Sequence, residues 1–186
     1  YVYYSGEMIY DNYTKIFDGC VHRLEIPRGY ENKELILKVT IYDQVGNGVS
    51  IEEVILVDTL VPLITIYAPE NNSYVNGTIV IRWSIVDNTE IKNATIHTYG
   101  AGEKEILITP ENNTGYYEIH LGEGYYTLMI TSYDVVENLG VSEIVCFTVD
   151  KTPPQILVGV PLNNTYQANN SIKVEITAWD NMGMHS

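Results

Sequence analysis

The sequence predicts an all-β chain built from repeated β-sandwich domains, and three observations support this prediction. Short segments alternate apolar and polar residues with a period of two, as in "YTLMITSYD" at residues 126–134, which is typical of a half-buried strand. No segment carries a sustained apolar stripe at helical spacing. Two stretches of 18 residues that begin at Val57 and at Val149 share eight residues at matching positions, which indicates that the chain repeats a whole domain.

The middle of the chain contains a full set of strand-like segments. Each segment is short, rich in β-branched or aromatic residues, and bounded by Gly, Asn, Pro or Asp. The seven predicted strands are residues 63–68, 78–86, 94–99, 104–109, 115–120, 125–133 and 142–149. Seven short strands in roughly 90 residues favour an immunoglobulin-like or fibronectin type III-like sandwich. Tyr126 begins the sixth strand, where such sandwiches often place a corner-forming tyrosine.

The repeat has a period of 91 to 93 residues. The matching pairs are "VDTLVPLITIYAPENNSY" (57–74) with "VDKTPPQILVGVPLNNTY" (149–166), "LKVTIYDQVGN" (37–47) with "LMITSYDVVEN" (128–138), and "SIVDN" (84–88) with "TAWDN" (177–181). Single-residue insertions in loops explain the small spread of offsets. A period of this length suits a row of complete domains rather than a solenoid.

The repeated motifs also resemble a known family. A "YD-x-x-x-N" hairpin is followed by a strand that ends in "VD-x-T-x-P", as in "VDKTPP", and then by "I-x-I-x-x-P-x-N-N-S/T-Y". This order is similar to that of the tandem immunoglobulin-like repeats of archaeal and bacterial surface proteins. The resemblance implies an extracellular or cell-surface location, with an archaeal source favoured, and it implies no particular activity because such sandwiches serve many roles.

The repeat divides the chain into three predicted units. Residues 58–149 form a complete immunoglobulin-like domain, residues 1–57 match its last five strands, and residues 150–186 match its first two. A partial sandwich exposes a core face and an unpaired strand edge, which is a liability in solution. We therefore expect the two partial domains to be completed. Either the chain is an excerpt of a longer array, or the tail of one copy completes the head of the next by strand exchange.

Composition and motifs argue against several classes of function. The formal net charge of −14 argues against nucleic-acid binding, and no apolar run reaches the length of a membrane span. No nucleophile elbow, metalloprotease motif or paired-carboxylate constellation is present, so the sequence predicts a protein that is not an enzyme and has no catalytic residues. Cys20 and Cys146 fall in different repeats, which leaves two free thiols or a bridge between repeats or subunits open.

N-linked glycosylation is the clearest chemical signal. Seven N-x-S/T sequons are present, against about two expected by chance. They begin at Asn12, Asn71, Asn76, Asn93, Asn112, Asn163 and Asn169. Asn71 and Asn163 occupy the same position of the repeat, and most of the sites fall in loops or at strand edges, where a glycan can be carried.

Acidic residues near the domain junctions are candidate calcium ligands. Asp58 and Asp150 begin the second and third units, and Asp87 and Asp180 follow the second strand of those units. Calcium requires clustered oxygen ligands, so each pair could meet at a hinge between domains. The alternative is that these residues cap turns on an acidic surface, since no D-x-D-x-D loop is present. No other cofactor is indicated.

The sequence leads to three hypotheses of function. The first is a structural, glycosylated subunit of an extracellular filament that is assembled head-to-tail from copies of this chain by strand exchange. The second is a spacer or adhesive module excerpted from a larger surface protein or extracellular enzyme. The third is a carbohydrate-binding module, because the 16 tyrosines could stack on sugars.

Overall fold

The computed structural model describes residues 1–10, 23–27, 29–30, 32–100, 104–108, 114–168 and 170–183. These residues form fifteen strands and no helix. The strands are β1 (Val2–Tyr4), β2 (Glu7–Tyr10), β3 (Lys33–Tyr42), β4 (Gly48–Val57), β5 (Leu63–Ala68), β6 (Ser73–Val75), β7 (Ile79–Val86), β8 (Ile91–Gly100), β9 (Lys104–Ile108), β10 (Thr114–Ile119), β11 (Gly124–Asp134), β12 (Leu139–Val141), β13 (Val145–Val149), β14 (Gln155–Val160) and β15 (Glu175–Trp179). The predicted all-β class is confirmed.

Strands β5 to β13 form a two-sheet sandwich. One sheet has the order β10-β7-β5, and the other has the order β6-β13-β11-β8-β9 with β12 paired to β11. This division of strands is that of an immunoglobulin-like or fibronectin type III-like sandwich. All seven strands predicted in the middle of the chain are present. The short strands β6 and β12 were not predicted, because three residues are too few to show an alternating pattern.

Side chains from both sheets fill the core of this sandwich. Ile81 and Trp83 of β7 belong to the same buried cluster as Leu128 of β11 and Phe147 of β13. The alternation read from the sequence of β11 is confirmed, since every second residue from Tyr126 to Asp134 is buried. The Tyr126 hydroxyl donates a hydrogen bond to the Gly122 carbonyl at 3.2 Å, so the predicted corner tyrosine is present.

Two further sheets flank the sandwich. The N-terminal sheet has the order β2-β1-β3-β4, and the C-terminal sheet is the β14-β15 hairpin. The predicted domain boundaries at residues 58 and 150 fall in the segments that follow β4 and β13. These boundaries stay predictions.

The C-terminal hairpin repeats the geometry of the first hairpin of the sandwich. Ile64 pairs with Ile85 in β5 and β7, and its counterpart Ile156 pairs with Ala178 in β14 and β15. Both hairpins break register at the same place, one between Ile66 and Ala68 and the other between Val158 and Val160. The repeat therefore extends from sequence to strand register.

Candidate functional site

The C-terminal hairpin exposes the face that the sandwich uses as its core. In the sandwich, the side chains of β5 and β7 that face the second sheet are almost fully buried. The exposed fractions are 7% for Ile64, 0% for Ile81 and 6% for Trp83. The counterparts in the hairpin are far more exposed: Ile156 at 68%, Val174 at 58% and Ile176 at 62%. Equivalent strands in the same register are therefore covered by a second sheet in the sandwich. In the C-terminal hairpin, no sheet of the described residues covers them.

The N-terminal sheet shows the complementary situation. Its strand β3 corresponds to β11, in which Leu128 and Ile130 are fully buried. Their counterparts Leu37 and Val39 are half-buried, and Ile41 on the same face is 51% exposed. The face that should pack against a first hairpin is therefore only partly covered.

Each terminal sheet also ends in an available strand edge. In the sandwich, β13 holds β6 in a parallel pair, and β7 holds β10 in an antiparallel pair. The corresponding edges belong to β4 and β15, each of which pairs with a single strand among the residues that the structure describes. Unpaired edges beside exposed apolar faces are places where another strand can add.

The two predicted junctions between units share one hydrogen bond at equivalent positions. The Asn32 side-chain oxygen accepts a hydrogen bond from the Thr59 backbone N–H at 2.7 Å. At the second junction, the Glu123 carboxylate accepts a hydrogen bond from the Lys151 backbone N–H at 2.9 Å. Residue 123 is the repeat counterpart of residue 32, so the two contacts are equivalent. Glu123 also accepts from the Asn181 side chain at 3.1 Å, which connects the sandwich to the end of β15.

Hydrogen bonding keeps Glu123 ionised. The Thr152 hydroxyl makes the largest contribution and the Lys151 backbone N–H the next, and together they hold the pKa of Glu123 below its usual value. Burial acts in the opposite direction and is the weaker effect.

An acidic cluster lies at the first junction. One carboxylate oxygen from each of Asp58, Asp87 and Asp134 lies within 4.8 Å of the others. The Thr89 hydroxyl lies 2.7 Å from Asp58 Oδ2 and 2.8 Å from Asp87 Oδ2. Asp134 is fully buried and accepts hydrogen bonds from the backbone N–H groups of Val136 and Asn138. Asp58 and Asp87 therefore lie close together in the structure.

Hydrogen bonds already use much of the accepting capacity of this cluster. Burial is the largest single influence on Asp58 and opposes its ionisation, but hydrogen bonds from Thr89, Leu60 and Asn88 outweigh burial and lower the pKa of Asp58. Three carboxylates of this kind offer oxygen ligands of the type that calcium prefers. The same contacts also explain the cluster as a network that caps turns, so calcium binding stays a hypothesis.

The second predicted acidic pair is not part of such a cluster. Among the described residues, no group of three acidic, histidine or cysteine ligands includes Asp150 or Asp180. Each caps its own turn, since Asp150 Oδ1 accepts from the Thr152 N–H and Asp180 Oδ1 accepts from the Met182 N–H. The sequence analysis missed Asp134 as a member of the first cluster. The "YD-x-x-x-N" motif contains Asp134 and was the available signal, but in the sequence it indicates only a hairpin.

The described sequon residues differ in accessibility. Asn71, Asn76 and Asn163 are exposed, whereas Asn93 is half-buried within β8. The Asn71 side-chain oxygen accepts a hydrogen bond from the Cys146 backbone N–H at 2.9 Å. Asn12, Asn112 and Asn169 lie outside the described residues.

Cys146 is a half-buried free thiol, and Cys20 also lies outside the described residues.

Comparison with known proteins gives a limited result. No protein-family model and no curated protein matches the chain. Among solved structures, the fibronectin(III)-like modules of Clostridium thermocellum CbhA are similar, with 20% sequence identity and a TM-score of 0.36. The similarity covers 63% of this chain and 60% of that chain.

No helix in the described part of the chain is long and apolar enough to cross a membrane.

Proposed function

We propose that this protein is a structural, glycosylated, non-enzymatic subunit of an extracellular filament, and that its copies assemble head-to-tail by strand exchange. One observation carries the proposal: Ile156, Val174 and Ile176 are exposed, whereas the equivalent residues of the sandwich form its core. Those three large apolar side chains contribute about 1.5–3 kcal/mol each when buried. Ordering the strands and joining two molecules offsets much of that gain.

A second copy of the chain is the partner that accounts for both exposed faces. The C-terminal hairpin corresponds to β5 and β7, and the N-terminal sheet corresponds to the strands that cover them. A single kind of molecule therefore supplies both members of the contact. Because the donating and accepting surfaces differ, the contact is heterologous and generates an open polymer unless the rotation between copies closes a ring.

The sequons support an extracellular location for the filament. The exposed Asn71 and Asn163 are available for glycan attachment on the equivalent turns of two units. The resemblance of the repeat motifs to those of archaeal and bacterial surface proteins favours the same location.

A spacer module within a longer covalent array is the second candidate. The matching contacts of Asn32 with Thr59 and of Glu123 with Lys151 favour it, because both occur at the same repeat position at the start of a predicted unit. In such an array the same apolar faces are covered by units of the same chain. Assembly of separate molecules distinguishes the two candidates.

Substitution of neighbouring residues on β14 tests the filament. Ile156 and Leu157 are both exposed and apolar, but only Ile156 corresponds to a core residue, since Leu157 corresponds to the exposed Thr65. We expect Ile156→Asp to abolish polymers seen by electron microscopy and sedimentation, and Leu157→Asp to leave them intact. Both variants should keep the cooperative melting of the sandwich.

Two results would contradict the proposal. The filament role is wrong if the unsubstituted chain sediments as a monomer at every concentration tested, and the spacer role is then favoured. Strand exchange is wrong if Ile156→Asp assembles as well as Leu157→Asp does, because a charge cannot enter an apolar core without a large loss of affinity.

A further inference from the structure

We infer that residues 23–26 of one copy add as an antiparallel strand to the free edge of residues 172–175 of another copy, a segment that leads into β15, with Arg23 opposite Glu175 and Glu25 opposite Lys173. This inference rests on the proposed function, since it specifies the contact by which copies assemble. It names a register and two ion pairs that strand exchange alone does not require.

The first step is the equivalence of residues 23–26 with β10. "YEIHL" at residues 117–121 matches "LEIPR" at residues 24–28 with an offset of 93, so Glu25 corresponds to Glu118 and Ile26 to Ile119. Residues 23–27 have no strand assignment in the structure. Their exposure nevertheless alternates, because Arg23 and Glu25 are exposed and Leu24 and Ile26 are half-buried. This is the pattern of a strand with one face toward a core.

The second step is the register within the sandwich. Strand β10 pairs with β7 so that Tyr116 lies opposite Arg82 and Glu118 lies opposite Val80. Ile119 lies opposite Ile79 in the same ladder. Both isoleucines are buried, so this register places apolar side chains on the core face and the intervening residues on the outer face.

The third step transfers this register to the exposed hairpin. With the offset of 93 that relates "SIVDN" to "TAWDN", Arg82 corresponds to Glu175 and Val80 to Lys173. The residue opposite Glu175 is then Arg23, and the residue opposite Lys173 is Glu25. On the core face, Leu24 lies opposite Val174 and Ile26 opposite Ile172. Val174 and Ile172 are 58% and 61% exposed in the single chain.

The charges select this register over its neighbours. Opposite charges that face each other across an antiparallel pair are stabilising, and like charges are destabilising. A slip of two residues in one direction places Arg23 opposite Lys173, and a slip in the other direction places Glu25 opposite Glu175. Slips of one residue turn the apolar side chains to the wrong face. Within the single chain, Lys173 forms an ion pair with Glu175, the first residue of β15, so both charged groups lie on the same side of this segment.

Charge reversal tests the pairing in the intact chain. We expect Arg23→Glu to raise the critical concentration for assembly by about tenfold, since it replaces an attraction with a repulsion. Glu175→Arg should act similarly. The double variant Arg23→Glu, Glu175→Arg should return the critical concentration to within about threefold of the original, because the pair is re-formed with its sign reversed. Lys92→Glu, in the sandwich, is the matched control for the change in net charge and should have little effect.

Disulfide cross-linking tests the register independently. We mix full-length chains that carry Arg23→Cys with full-length chains that carry Glu175→Cys, under oxidising conditions. Facing residues of antiparallel strands bring their Cβ atoms close enough for a disulfide. We expect the 23–175 bridge, identified by peptide mapping, to exceed the 23–173 and 23–177 bridges formed with Lys173→Cys and Thr177→Cys chains.

The outcomes separate this inference from the proposed function. If Ile156→Asp abolishes the polymers but the double charge reversal does not restore the critical concentration, the register is wrong. The proposed filament role is then unaffected. A predominant 23–173 or 23–177 bridge would do the same. A chain that never assembles overturns both. Rescue by the double variant together with the 23–175 bridge establishes the contact.

Discussion

The carboxylate of Glu123 fixes the start of the C-terminal unit by accepting a hydrogen bond from the Lys151 backbone N–H at 2.9 Å. Asn32 makes the equivalent contact with Thr59 at the preceding junction, at 2.7 Å. The two junctions therefore share a hydrogen bond although one acceptor is an amide and the other is a carboxylate. Only the second can respond to pH.

The first prediction concerns this junction. Because the pKa of Glu123 is held below its usual value of 4.5 by the Thr152 hydroxyl and the Lys151 N–H, the stabilising contribution is present above that value. It is lost as pH falls through the lowered pKa of the folded state. We expect the Lys151 amide chemical shift to move in that acidic range and to be insensitive to pH in Glu123→Gln. An identical titration in both proteins would contradict the assignment.

The second prediction concerns the buried turn at Asp134. Asp134→Ala removes a fully buried carboxylate and leaves the partly buried N–H groups of Val136 and Asn138 without their acceptor. We expect a loss of about 2–4 kcal/mol in the free energy of unfolding of the sandwich, measured by denaturant titration.

Asp43 provides the matched control for Asp134. Its carboxylate accepts from the Val45 and Asn47 N–H groups in the same turn, but Asp43 is exposed. Water can replace the lost acceptor there, so Asp43→Ala should destabilise its own sheet much less. Equal losses for the two variants would show that burial does not determine the effect.

The third prediction concerns the tyrosine corner. Tyr126→Phe removes the hydrogen bond to the Gly122 carbonyl and leaves the aromatic packing against Phe147 in place. We expect the sandwich to lose about 1 kcal/mol of stability in thermal or chemical unfolding. Tyr125→Phe is the control, because Tyr125 is 67% exposed and its change should be neutral. The corner is not stabilising if the two variants unfold alike.

The fourth prediction concerns glycans. We expect Asn71 and Asn163, together with at least two further sequon residues, to be modified in the native protein, since both side chains are exposed on the same turn of the repeat. Among the described sites, Asn93 should be the least occupied because it is half-buried within β8. Glycopeptide mass spectrometry provides the measurement. Unmodified asparagine at both Asn71 and Asn163 would reject the prediction.

Much of the sandwich could be predicted from local sequence patterns. The alternation of apolar residues in β11 identified both its strand character and its inward face, and Tyr126 was placed correctly at the corner. These features depend on residues close in sequence, so a single segment contains the necessary information. The parallel pairing of β6 with β13 could not be predicted, since it joins residues about 70 positions apart through short segments.

The candidate sites followed the same division. The repeat placed Asp58 and Asp87 in one region, and in the structure their carboxylates lie close together. It did not predict that Asp134 joins them, because that contact depends on how β11 packs beside the junction. Nor did the sequon pattern show that the Asn71 side-chain oxygen would accept a bond from Cys146, a residue of a distant strand.

The sequence by itself determined the longer strands of the sandwich, the repeat and the side chains that share each face, because these follow from the period of two and from local turn chemistry. The tertiary structure decided which of those faces are covered. Ile64 and Ile156 occupy the same position of the repeat and equivalent positions in their strand pairs, yet one is 7% exposed and the other 68%. Burial depends on a second sheet packed across the face, and such a contact lies between segments that no local pattern connects.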